Sequence, residues 1–209
     1  SMFLSIPASV ALVTGSEQII SALFGYGSFT DNSVFNSANA LYYFGLGLPA
    51  FALIKVFSTF FFANHDTKTP FYISLVSVLL NILISVYFFK DIGFIIIPIA
   101  TTISSWFNSS MLFIYLKNNN LFEFNKTFFK QFVKIIFASI MMGIFFQYLI
   151  LLFENQLSYT YFFKSAYLLL CVLFTIIFYL VLSYFIKAFN YQDIKSVSYT
   201  HLRAHETNS

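Results

Sequence analysis

Six apolar runs divide the chain, at about residues 2–23, 37–62, 71–89, 92–116, 131–153 and 163–187. A membrane-spanning helix needs about 20 mostly apolar residues, and each run is close to that or longer. The breaks between them are polar or charged and lie at 25–36, 64–70, 90–91, 117–130 and 154–161. Within the runs apolarity is continuous, not alternating, which excludes the roughly ten-residue strands of a membrane barrel. The predicted fold is an all-α polytopic membrane protein with six transmembrane helices. Gly45, Gly47, Pro49 and Pro98 fall inside runs, where neighbouring helices can satisfy the backbone they disturb. Gly45-x-Gly47-x-Pro49 reads as close helix packing or a kink, and Pro98 is expected to leave the Phe94 carbonyl without its usual donor.

Composition narrows the class. Of 209 residues, 59% are hydrophobic and 9% charged, against about 25% charged in a typical globular domain. Such a chain cannot cover a soluble surface, which excludes a cytosolic enzyme, a nucleic-acid binder and a disordered protein. The single cysteine, Cys171, excludes a disulfide framework and a multi-cysteine metal site. His65 stands alone in its loop, and no zinc, nucleotide or Ser/His/Asp pattern is present. Gly25-Tyr-Gly27 reads as a turn, being too short for a phosphate loop.

The formal charge of +3 matters less than its placement. Lys68, Lys117, Lys126, Lys130, Lys134, Lys187 and Lys195 fall to one side of the six runs, and Lys90 and Lys164 to the other. The positive-inside rule makes the first side cytoplasmic. The first helix then runs outward, the loop at 24–36 faces outside, and the chain returns to the cytoplasm after its sixth span. The loops are short, so no soluble domain is expected to hold a conventional active site.

The stretch from Ser196 to Thr207 differs in kind. Residues 1–195 contain ten Lys and no Arg, whereas the tail holds Arg203, His201 and His205. Ser198 to Thr207 resembles a translated sequencing-adapter end. Segment 196–209 is therefore read as a non-native tail and left out of fold reasoning.

Polar residues inside the runs carry the candidate chemistry. Ser74, Ser77, Asn81 and Ser85 recur at helical spacing and share one face of the third span. Thr101, Ser105, Asn108 and Ser109 do the same in the fourth. Two readings stand: helix–helix hydrogen bonding, or a cavity whose hydroxyl, amide and carbonyl oxygens hold a hard cation. No carboxylate lies in either stripe. Lys55 lies about two turns inside the second span, as a snorkelling side chain or as a cavity charge for an anionic headgroup. Glu17 sits in the last third of the first span. In the turn before the third span, Asp66 or Thr69 is placed to cap, and Pro70 suits the first helical position.

Longer motifs carry a resemblance. Pro7-x-x-x-x-Leu12, then Glu17-x-Ile19-x-x-x-Leu23-Phe24-x-x-Gly27-x-Phe29-Thr30, resembles the ninth helix and outer loop of the lipid II flippases. These form the MurJ/MviN family of the MOP exporter superfamily. Tyr43-x-x-Gly45-Leu46-x-x-Pro49-Ala50-x-x-x-x-Lys55-Val56 continues it. The most specific string is Phe61-x-Ala63-x-x-Asp66-Thr67-Lys68-Thr69-Pro70. Val78-Leu-Leu-Asn81, Gly93, Ile99-Ala100-Thr101 and Trp106-x-Asn108 also fit. The resemblance covers about 3–190 and is strongest over 7–116.

The resemblance implies helices nine to fourteen of a fourteen-helix transporter. Residues 1–116 would be helices nine to twelve, 117–130 a cytoplasmic loop, and 131–195 helices thirteen and fourteen lining a groove for a lipid tail. It implies translocation of the undecaprenyl-pyrophosphate-linked peptidoglycan precursor by alternating access, in the bacterial inner membrane, with an N-terminal lobe absent from this chain. The implied partners are the bilayer and lipid II. The implied cavity positions are Lys55, Thr59 and Asn108. No cofactor, metal or nucleic acid is implied. A monovalent cation is an expected coupling ion, at positions matching Asn81, Ser85, the Ile97 carbonyl and Thr101, although Ser85 stands where a carboxylate is expected. Exporters of other polyprenyl-linked sugars and drug/cation antiporters are the nearest alternatives, and the Asp66–Pro70 string argues against them. A membrane glycosyltransferase would need clustered loop acids, whereas Asp31, Asp66, Asp91, Glu123 and Glu154 are scattered over both sides.

Overall fold

The computed structural model describes residues 1–119, 126–159 and 161–188, with backbone alone at 126–128. Lys195, the 196–209 tail and the middle of the 117–130 loop lie outside the described residues. The described chain is helical: α1 (Met2–Phe24), α2 (Asp31–Ala63), α3 (Lys68–Ile92), α4 (Ile96–Asn118), α5 (Lys126–Leu152), the short α6 (Glu154–Leu157) and α7 (Lys164–Phe185). Among the described residues five stretches are long and apolar enough to cross a membrane. One of them, Lys68–Asn118, is 51 residues long and folds back on itself, which gives the six spans expected.

The fold-back is made by Gly93. Its φ of 74° and ψ of −153° lie in a region that residues with a Cβ avoid. A single 3₁₀ turn, Gly93–Ile95, then leads into α4. Pro98 therefore sits in the first turn of α4, where amide hydrogens have no intrahelical partner in any case. The Phe94 carbonyl is not left without a donor, because the Ile96 N–H turns back to the Gly93 and Phe94 carbonyls.

Other helix ends also differ from the hydrophobic pattern. α2 begins at Asp31, not near 37, because extended Thr30 accepts the Ser33 N–H on its side chain and caps a polar first turn. α5 begins at Lys126, inside the segment read as loop. α2 ends in a Schellman motif. His65, at φ 58°, sends its N–H to Phe62, and Asp66 sends its N–H to Phe61. α7 ends the same way, through Lys187 at φ 51° and Ala188 bonded to Ser183.

The helices pack in a row, α3–α4–α2–α1–α5–α7, with α7 also touching α1. α3 lies at the edge, with Pro70 and Ser77 its buried residues. Where α1 bends at Gly15 (φ −114°), the Phe146 ring of α5 fills the space a Cβ would need. Gly143 of α5 answers from the other side, lying against Val10 so closely that a Cβ would come within 2.5 Å of it. Small residues let membrane helices approach in this way.

Two prolines explain how neighbouring helices attach. A helix-internal proline has no N–H for the carbonyl four residues before it. Pro49 so releases the Gly45 carbonyl, and Ser9 of α1 donates to it at 2.7 Å. Pro7 releases the Phe3 carbonyl, and the Tyr179 hydroxyl of α7 donates to it at 2.8 Å. On the far side of α2, Thr102 donates to the Tyr43 carbonyl at 2.6 Å, and the Trp106 indole N–H to Leu46 at 3.1 Å. Gly45-x-Gly47-x-Pro49 is thus a close-packing site, with Gly45 against α1 and Gly47 against Thr102 of α4.

Candidate functional site

The two polar stripes meet along the α3–α4 seam. Asn81 Nδ2 donates to Thr101 Oγ1 at 3.0 Å and to Ser104 Oγ at 3.3 Å. Asn108 Nδ2 donates to Ser74 Oγ at 3.3 Å, two turns nearer the Asp66 end of the bundle. These pairings fix an antiparallel register. They also line a groove of about 300 Å³, bounded by Ser74, Ser77, Asn81, Thr101, Ser105 and Asn108, with Phe51 and Ile54 of α2 along its side. Asn108 is 7% exposed, and its buried Oδ1 has no hydrogen-bond partner among the described residues.

The four positions matched to a cation site come together as a relay. Ser85 donates to Asn81 Oδ1 at 3.5 Å, Asn81 donates to Thr101, and Thr101 donates to the Ile97 carbonyl at 2.8 Å. As arranged, the groups satisfy one another. Their oxygens are all neutral, so the set suits a weakly held monovalent ion better than a divalent one, which favours carboxylates. Turning the Asn81 amide would bring its oxygen to face Thr101 and open the relay.

The cavity positions do not form one group. Lys55 and Thr59 lie four residues apart on an exposed face of α2, with Thr59 donating to the Val56 carbonyl at 2.6 Å. Asn108 belongs to the α3–α4 groove, which neither of them lines.

The turn between α2 and α3 has a local explanation. Asp66 Oδ1 accepts the Lys68 and Thr69 N–H groups at 3.1 and 3.0 Å, so the cap is Asp66, not Thr69. The Thr69 hydroxyl and amide, then the Lys68 amide and charge, hold the Asp66 carboxyl below the usual carboxylate value. Pro70 is the third helical residue, not the first, and is still within the turn that needs no donor.

One polar residue escapes the sequence reading. Lys164, counted above as an outer-side charge, is 0% exposed. Its Nζ donates to the carbonyls of Gly25 and Tyr159, and two tyrosine rings face it. Beside it, α5 and α7 are joined by apolar groups, with Phe145 and Phe178 stacked at 4.4 Å. Their outer faces are apolar along their length, through Ile140, Ile144, Tyr148 and Leu151 on α5 and Leu173, Ile177, Leu180 and Tyr184 on α7.

Comparison with known proteins places these features in a family. The family described as "Lipid II flippase MurJ" matches residues 1–168. A "Probable lipid II flippase MurJ" of Rickettsia prowazekii is 36% identical over 114 residues, 54% of this chain and 22% of that protein. The protein of the same name from Thermotoga maritima is 35% identical over 143 residues, 68% of this chain and 28% of that one. The solved structure "Lipid II flippase MurJ, inward closed conformation" superposes with a TM-score of 0.71 at 26% identity, over 92% of this chain and 37% of that one. The chain thus spans about a fifth to two fifths of the length of the relatives it matches.

Proposed function

The chain belongs to the lipid II flippase MurJ family, and we propose that it is the C-terminal six-helix part of a lipid II flippase. Joined to an N-terminal lobe, it would move the undecaprenyl-pyrophosphate-linked precursor from the inner to the outer leaflet by alternating access. It acts as a transporter, not an enzyme, in the bacterial inner membrane. The observation that carries the reading is the match over residues 1–168, together with a superposition that extends to 92% of the chain.

Orientation follows from the lysines. Lys68, Lys117 and Lys187 lie at the Asp66 end. At the Gly25 end Lys164 is buried, which leaves Lys90 as the exposed lysine there among the described residues. The lysine-rich end is therefore cytoplasmic, and α7 returns the chain to the cytoplasm.

Lys55 and Thr59 face the cavity between lobes, with Lys55 as a charge for the phosphate-bearing headgroup. The relay of Asn81, Ser85, Ile97 and Thr101 holds a monovalent coupling cation. The apolar outer faces of α5 and α7 receive the polyprenyl tail.

The test is complementation of a flippase-depleted bacterium with the full-length parent gene. Restored wall synthesis is expected. Continued lysis despite membrane expression overturns the reading.

A further inference from the structure

Lys164 is the first residue of α7, and both its position and its burial oppose a charge. The start of a helix carries partial positive charge, which disfavours an ammonium. Burial strips the ammonium of water. Among the described residues the surroundings compensate without a carboxylate. Nζ donates to the Gly25 carbonyl at 2.6 Å and to the Tyr159 carbonyl at 2.8 Å. It lies 4.4 Å from the Tyr26 ring centroid and 4.6 Å from that of Tyr159, within cation–π range.

The contacts around it join the same two segments. The Tyr26 hydroxyl and Ser165 Oγ are 2.7 Å apart, and the Tyr159 hydroxyl donates to the Phe29 carbonyl. Gly25, Tyr26 and Phe29, between α1 and α2, are thereby tied to Tyr159, Lys164 and Ser165, at sequence separations of 130 and 139. Gly25 is part of the cage, since a Cβ there would stand 3.0 Å from Nζ and 2.5 Å from the Ser21 carbonyl. Leu168 and Cys171 follow along α7, packed with Ala22, Phe146, Leu149 and Ile150 in one apolar cluster.

We propose that Lys164 is a releasable clasp that holds the Gly25 end of α7 closed against α1 and the loop before α2. Among the described residues every partner of the ammonium is neutral, and no charge pair locks it. Its flexible stem lets the ammonium reach headgroup water instead, as long basic side chains do at membrane edges. Closed and hydrated arrangements of one side chain therefore compete, and release uncovers the apolar cluster. The clasp does not depend on the transport reading above.

Cys171, 1% exposed and the one cysteine in the sequence, reports on it directly. The 209-residue chain in membrane vesicles is treated with N-ethylmaleimide, and the labelling rate is compared with that of Lys164→Met. Methionine keeps the apolar stem and removes the charge and its donors. Labelling about tenfold faster is expected, because the cluster opens locally. An unchanged rate overturns the proposal. A second pair, Cys171→Ser/Leu116→Cys with and without Lys164→Met, separates release from misfolding. Position 116 is 0% exposed in α4. A thiol there should stay protected in both, and its exposure by Lys164→Met overturns a local clasp.

Discussion

The α3–α4 hairpin and the α5–α7 pair are both antiparallel two-helix units docked on α1 and α2, yet they are built in opposite ways. The hairpin is joined by amides and hydroxyls, through Asn81 to Thr101 and Ser104 and Asn108 to Ser74. The pair is joined by rings, through Phe145 on Phe178, and docks on α1 through Phe146 on Gly15 and Gly143 on Val10. Hydrogen bonds across membrane helices contribute modestly, about 0.6 kcal/mol each on average. Close packing of a large ring in a matched socket contributes more. The hairpin is therefore the softer seam, open to ions and polar groups, and the pair is the firmer, drier unit.

The strongest way to break that contrast is Phe146→Ala. The ring is 1% exposed, and its loss should destabilise the docking of α5 on α1 by about 3–5 kcal/mol, the range for a buried phenylalanine. Hydrogen exchange in detergent should rise over 126–185 and stay unchanged over 68–118. A uniform rise would show that the two units are not separate.

A smaller effect is expected from Asn81→Ala, which removes two cross-helix hydrogen bonds worth roughly 1 kcal/mol together. Thermal unfolding should shift slightly, while cation dependence of transport in the full-length parent should weaken clearly. Unchanged transport and cation dependence would leave the relay with a packing role alone.

The smallest effect belongs to the Asp66 cap. Its carboxyl is held below the usual value in the folded chain, so its contribution is complete above the ordinary carboxylate range. It is lost as pH falls through the lowered native value. Acid titration followed by circular dichroism should show slight loss of helix from the start of α3. Asp66→Asn, which caps without ionising, should remove that step.

These contrasts were unevenly legible beforehand. The polar stripes of α3 and α4 were readable because a period near 3.6 places Asn81 and Ser85, or Thr101 and Ser105, on one face whatever the partner. Gly45-x-Gly47-x-Pro49 was readable as a packing site for the same local reason. The start of α2 was hidden, because the cap that extends it lies among polar residues that also look like loop. Asn108 was grouped with Lys55 and Thr59 by resemblance, whereas its amide turns to Ser74. Lys164 gave no signal at all. The groups that hold it include a backbone carbonyl 139 residues away, and a carbonyl is the same for every residue type.

The proline-released carbonyls have a consequence in time. Ser9 and Gly45 are 36 residues apart, so α1 and α2 can attach soon after both enter the bilayer. The Phe3 carbonyl instead receives its donor from Tyr179, 176 residues later. At translation rates of about 5–20 residues per second, that interval is roughly 10–35 s. During synthesis the first of these helices thus waits on the last for this hydrogen bond.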